Sequence, residues 1–514
     1  MKTFQKSLFI AAAIIGLLSC DSDDDNQTPP SVDTSVNFQF KNTITVGGEG
    51  AAEISAFDPT TNKLFTVNTA LDEISIYNIS DVNAPVQETS ISVSGFGAPN
   101  SVAIHNGKLA IAIEANNKQA PGKIAVYNTS DHSLVNEYTV GSLPDMVTFT
   151  KDGNFILVAN EGEPNDDYTV DPDGTVSIID LSSNMVTTLD FSAFNSQEAT
   201  LESQGFRVFG PNADLAADVE PEYITVSDDS QYAWVALQEN NGIAKINIQT
   251  KTIEAIYPLG FKDYSLPENS IDASDRDNVN ELKNWPVYGM YQPDAITSVA
   301  INGTTYIISA NEGDSREYEG TPGYVGEDRI KDITLDETAF PATENYQNDE
   351  NIGRLKIALD LGDTDGDGDY DKLYNYGARS FSVWSAEGAL LYDSGNEIST
   401  RVLAETPNRF NWDWEDNAVD DRSDDKGPEP EMVEVLNIAN QRYILFVGLE
   451  RNSQVMVYDI TNPTAPQFLQ FLQRGTDFAP EGIIAVSADD SPTGKALVII
   501  SYEDSGTVSI YENE

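Results

Sequence analysis

The chain has 514 residues, and its 84 Asp and Glu against 29 Lys and Arg give a formal net charge of -55. A surface this negative repels nucleic-acid phosphates, so no nucleic-acid partner is expected. Two histidines, His105 and His132, and one cysteine exclude a histidine-built zinc hydrolase, a serine or cysteine triad in its usual form, an internal disulfide and an iron–sulfur site.

Residues 1–19 read as a lipoprotein signal peptide. Lys2 and Lys6 precede an apolar run over 8–18 that is too short to span a membrane. The sequence Leu17-Leu18-Ser19-Cys20 resembles a lipobox, which makes Cys20 the lipidated first residue of the mature chain. Residues 20–35 follow as an acidic tether with little to pack. An acidic stretch directly after a lipidated cysteine resembles a surface-export signal, although a plain linker reads the same way. These features predict an exported outer-membrane lipoprotein at the cell surface, held to the membrane through Cys20.

From residue 36 to 514 the sequence reads as one all-β domain. A unit recurs along it: Pro plus a polar or acidic residue, an alternating strand, a turn, then an apolar strand ending in Glu or Asn. Pro99-Asn100, Pro144-Asp145, Pro221-Glu222, Pro293-Asp294, Pro430-Glu431 and Pro480-Glu481 open six copies, and Ala52-Glu53 opens a divergent first one. Seven such units, spaced like four-stranded blades, predict a seven-bladed β-propeller of the YVTN or WD40-like kind. The last unit lacks a fourth strand after Ile510, and the orphan strand at 36–46 is expected to supply it and close the ring. In the alternative with eight blades, residues 382–394 head their own blade. The preferred reading makes 381–384 and 389–392 the third and fourth strands of the fifth.

Strands alternate direction within a blade, so the start of the first and the end of the second share a face. Glu53, Asn100, Asp145, Glu222, Asp294, Glu431 and Glu481 are therefore expected around the channel mouth. Glu114, Glu161, Glu239, Glu312, Glu450 and Glu503 should stand beside them. Long insertions at 163–174 and 314–377 project from that face, with others between blades at 192–218, 261–292 and 396–428. Like charges this close require counter-charge, and hard oxygen ligands point to calcium as the cofactor. Carboxylates that merely cap backbone amides at strand starts give the same pattern.

Asp363-Thr364-Asp365-Gly366-Asp367-Gly368-Asp369-Tyr370-Asp371 is the sharpest local motif. Its acids alternate as in the opening of a calcium loop, with Gly at relative position six. Relative position twelve is Tyr374 rather than a bidentate Glu, which speaks against an EF-hand and for an irregular calcium loop. Trp412 and Trp414, flanked by acids, read either as a stacking platform for a sugar or as packing anchors. Arg316, Arg379 and Arg451 are candidates to bind an anion or to neutralise the acidic ring.

These motifs together resemble the choice-of-anchor I family of secreted propeller proteins. The carriers are Leu143-Pro144-Asp145, Ala159-Asn160-Glu161-Gly162-Glu163-Pro164-Asn165, Tyr291-Gln292-Pro293-Asp294-Ala295, Asn311-Glu312-Gly313-Asp314-Ser315-Arg316, the aspartate loop and Gly427-Pro428-Glu429-Pro430-Glu431. The resemblance spans about residues 40–512. It implies a surface protein, related to a mesenchyme surface glycoprotein and to atypical alkaline phosphatases. Two functions follow as expectations. In the first, a calcium-binding acidic face binds an extracellular ligand, such as a phosphate ester, a glycan or a mineral. In the second, a calcium-dependent phosphoesterase uses Asp145, Glu222, Asp294, Glu431 and Glu481 as ligands. Glu161, Glu239 or Glu312 then serves as ligand or base, and Arg316 as phosphate clamp.

Overall fold

The computed structural model describes residues 33–211 and 213–514. The signal peptide, Cys20 and the tether as far as residue 32 lie outside the described residues. Seven four-stranded antiparallel sheets follow one another along the chain. The first is Ser55–Asp58, Lys63–Asn68, Glu73–Asn78 and Val86–Ser92, and the second runs from Pro99–His105 to Leu134–Ser142. The third begins at Pro144–Phe149, the fourth at Ile224–Val226, the fifth at Ile296–Ile301, the sixth at Pro430–Ile438 and the seventh at Pro480–Val486. The innermost strand of each sheet packs on that of the next, and the seventh packs on the first. The sheets therefore close into a β-propeller.

Closure happens as the orphan strand predicts. Phe38–Thr45 pairs antiparallel with Thr507–Asn513 and becomes the outer strand of the seventh sheet. Ser380–Ser385 and Leu390–Asp393 complete the fifth sheet, the arrangement preferred over a separate blade. Second strands such as Lys63–Asn68 are buried almost throughout, because sheets cover both of their faces. Outer strands such as Val86–Ser92 are mostly exposed.

The core lies between sheets. Phe65 and Val67 pack with Ile111 and Ile113 between the first and second, and Leu157 and Ala159 with Val235 and Leu237 between the third and fourth. A cluster spanning the fifth to seventh sheets joins Phe381, Phe446 and Phe38. The 314–377 insertion is an ordered lobe, because its Ile330, Phe340, Leu355 and Ile357 share a separate core with Tyr264 and Val287 of the 261–292 segment. Short sheets tie the two together, among them Tyr288–Met290 paired with Tyr374–Asn375.

Candidate functional site

The acidic mouth is built by one backbone device repeated around the ring. In the second, third, sixth and seventh sheets the first strand opens with a β-bulge directly after its proline. The bulge holds Asn100, Asp145, Glu431 and Glu481, and a bulge turns its extra residue out of the ladder. Leu143, Gln292, Glu429 and Ala479, each just before the proline, have φ of 46°, 38°, 51° and 57°. That left-handed conformation is strained for residues with side chains, and such strain gathers at functional sites. Their carbonyls accept hydrogen bonds from the ends of the second strands: Leu143 from Glu161 N–H at 2.8 Å, Glu429 from Glu450 at 2.8 Å and Ala479 from Glu503 at 2.9 Å. Each inner acid is thereby locked beside its outer one on a single face.

Glu53, Asn100, Asp145, Asp294 and Glu481 line one cavity of about 140 Å³ at this mouth, together with Tyr223 and Met432. Glu222, Glu239, Glu312 and Glu431 are buried beside it. One carboxylate oxygen each from Asp294, Glu431 and Glu481 lies within 4.8 Å of the others. The same holds for Glu312, Glu431 and Glu450, and for Glu161, Glu220 and Glu239. Of the predicted ring, Asp294, Glu431 and Glu481 among the inner positions and Glu161, Glu239, Glu312 and Glu450 among the outer ones fall in convergent groups.

Ion pairs fall on the outer acids. Arg316 holds Asp218 at 2.8 Å and Glu220 at 2.9 Å, Arg451 reaches Glu450 at 3.3 Å, and Lys426 contacts Glu312. Among the described residues no ion pair reaches Glu53, Asp145, Glu161, Glu222, Asp294, Glu431 or Glu481. Moreover, Glu222 Oε2, Glu239 Oε2 and Glu431 Oε2 are buried without a hydrogen-bond partner. Burial, then mutual repulsion, raises these carboxyls. Glu53 is pushed up to about 9 and Asp145 to about 7, and Glu161, Glu222, Glu431 and Glu481 lie well above the usual carboxylate range. Fully buried Glu429 behaves oppositely. Burial drives it up, but Lys426, Arg422 and Arg451 together hold it well below that range.

Arg316 is a correction to the expected phosphate clamp. Its Nε donates to Glu220, Nη1 to Asp218 and Nη2 to the Asp218 carbonyl, which leaves the guanidinium committed and buried. Arg379 holds the carbonyls of Asp272 and Ser423. Among the described residues no arginine lines the mouth cavity.

The aspartate loop stands apart on the lobe, mostly exposed. Asp363 accepts from Gly366 and Gly368 N–H at 2.7 and 3.0 Å, and Asp371 from Thr364 N–H and hydroxyl. Asp363, Asp365 and Asp371 nevertheless converge, and Asp336 joins Asp369 and Asp371. Asp367 caps its own turn at Asp369 N–H. Tyr374, where an EF-hand would place Glu, packs on Phe261 with ring centroids 4.6 Å apart. Trp414 stacks on Phe478 at 5.3 Å, an anchor by packing. The histidines are half-buried, with His105 on Phe149 and His132 on Phe65.

Sequence reasoning assigned no role to Glu220, Glu429 or Lys426. Glu220 and Glu429 did leave a signal, since each precedes a Pro-Glu opening as Glu-Pro-Glu. Lys426 left none, because a loop without periodicity delivers it.

The family model of the choice-of-anchor I domain matches residues 53–463. Gigasin-3a of Magallana gigas is 31% identical over 191 residues, 32% of this chain and 66% of that protein. The chain therefore spans just under two thirds of that relative's length. Among solved structures, Kuenenia stuttgartiensis hydrazine synthase is similar at a TM-score of 0.50 and 10% identity, covering 90% of this chain and 96% of that one. The Cps50 (Swd1) β-propeller domain of Myceliophteria thermophila is similar at a TM-score of 0.46 and 7% identity, over 93% and 100% of the two chains. At 10% identity the hydrazine synthase likeness speaks to fold alone. The family match covers most of the ring and its Pro–acid bulges, and on it this protein belongs to the choice-of-anchor I domain family.

Proposed function

We propose that this protein is a lipid-anchored surface propeller whose acidic mouth holds calcium and presents it to an anionic extracellular ligand or mineral. One observation carries the reading. The inner acids Asp294, Glu431 and Glu481 converge with no ion-pair partner among the described residues, and the inner acids Glu222 and Glu431 each keep a buried oxygen unpartnered. A buried acid in that state is costly unless a cation completes it. Asp294, Glu431 and Glu481 would hold the ion, and an all-carboxylate donor set suits a hard cation. A bound calcium supplies charge neutralisation and open positions for a ligand oxygen. The protein's own groups orient it: the bulges fix the carboxylates, and Tyr223 lines the cavity they face.

Phosphoryl transfer is less well supported, since the arginine expected beside the cavity is committed elsewhere. The test is a calcium titration followed by melting temperature, with Glu481→Gln, Glu222→Gln and Asp294→Asn beside the parent protein. A calcium-dependent rise that weakens in the variants is expected. A rise unchanged by all three moves the ion away from the mouth. Calcium-dependent hydrolysis of a chromogenic phosphomonoester, lost in Asp294→Asn, replaces the binding reading with the enzymatic one.

A further inference from the structure

Resting on that reading, we infer that the mouth has a second cation position and that the protein fills it itself, with the ammonium of Lys426. Glu431 belongs to two convergent groups, one with Asp294 and Glu481 and one with Glu312 and Glu450. Cationic side chains reach only the second group, where Arg451 lies 3.3 Å from Glu450 at its edge. Lys426 Nζ contacts Glu312 and lies 3.3 Å from Glu429 and 3.8 Å from Asp314. The other oxygen of Glu312 accepts from Gln238 Nε2 at 2.8 Å, so both Glu312 oxygens are already used. Asp294 and Glu481 meet no cationic side chain among the described residues.

The loop before the sixth sheet is built to deliver this ammonium. Arg422 donates to Glu429 at 2.8 Å and receives Gly427 N–H on its own carbonyl at 3.0 Å. Arg379 grips the carbonyls of Ser423 and Asp425. Gly427 lies against that guanidinium with φ of 73°, and a Cβ there would come within 3.0 Å of the Arg379 side chain. Both the space and the backbone conformation call for glycine. A flexible lysine is thus held as a fixed charge at a site of carboxylates, where its point-like ammonium can stand in for an ion. The consequence is a mouth that takes one divalent ion next to a tethered cation, with Glu431 common to the two carboxylate groups.

The experiment counts calcium ions per chain by native mass spectrometry. A background carrying Asp363→Asn and Asp365→Asn removes the exposed loop from the count. Lys426→Gln should gain one ion, and adding Glu312→Gln should remove that gained ion. Lys426→Arg should gain none. With Lys426 in place, Glu450→Gln should leave the count unchanged, while Glu481→Gln should lower it by one. A folded Lys426→Gln protein with an unchanged count overturns the inference. So does a count that falls in Glu450→Gln, an arm that decides the matter even if Lys426→Gln does not fold. An unchanged count in Glu481→Gln counts against calcium at Asp294, Glu431 and Glu481, and the Lys426 question is still decided by the other arms.

Discussion

Glu53, Asp145 and Glu450 carry carboxyls raised to about 9, about 7 and about 8, each first by burial and then by neighbouring acids. In the unfolded chain such groups titrate near 4. Between those limits the folded protein holds protons that the unfolded chain has released. Their stabilising contribution is complete below about pH 4 and is lost as pH rises towards about 9. In chelator, the melting temperature should therefore fall from pH 5 to pH 9. Calcium should restore it most at the alkaline end, because the ion takes over from the protons. Calorimetry in buffers of different ionisation enthalpy should show protons released as calcium binds, and a pH-independent melting curve would contradict this. Glu481→Gln keeps the shape without the charge. It should raise calcium-free stability at pH 8 by roughly 1–2 kcal/mol and weaken the response to calcium. Single residues were unevenly legible from sequence. Asp145 and Glu481 stood out because a proline marks each bulge, whereas the role of Lys426 depends on Arg379, Gly427 and Gln238, which are far apart in sequence.

The strand Phe38–Thr45 shows what pattern reading captures at the level of elements. A seventh unit short of one strand, and one alternating strand left over, together dictate closure. Phe38 is 2% exposed, with its ring 5.2 Å from that of Phe446. Phe38→Ala should cost about 3–5 kcal/mol in urea unfolding, and a chain starting at Val46 should aggregate through the bared Thr507–Asn513 edge, as light scattering would record. The lobe was less legible. Its strands are two or three residues long, as at Glu317–Tyr318 and Glu327–Arg329, too short to show a period. Its core depends on Tyr264 and Val287 from another insertion. The aspartate loop is held by its own turns, so Asp363→Asn with Asp371→Asn should leave the propeller's melting temperature nearly unchanged. Proteolysis between 362 and 372 should quicken, and equal resistance to protease would count against any ordering role for those carboxylates.

Across the whole molecule, a net charge of -55 opposes compaction through self-repulsion. Sodium chloride should raise the melting temperature in chelator, and most of that gain should persist once calcium is bound at the mouth. Salt screens the diffuse surface term only over about 10 Å or less, so the buried mouth should respond to the divalent ion and hardly to sodium. No described helix is long and apolar enough to cross a membrane. The closing strand has one further consequence. Glu514 N–H donates to the Asn37 carbonyl at 2.9 Å, and Asn513 Nδ2 reaches the Ser35 carbonyl. The propeller's first and last residues are neighbours, so the ring is a loop of chain cut at one place, and the cut is interchangeable. A circular permutant that joins Glu514 to Ser35 through a short linker, and opens at the exposed turn near Asp81, should fold to the same propeller with the same calcium response. Only the order in which its blades are assembled would change.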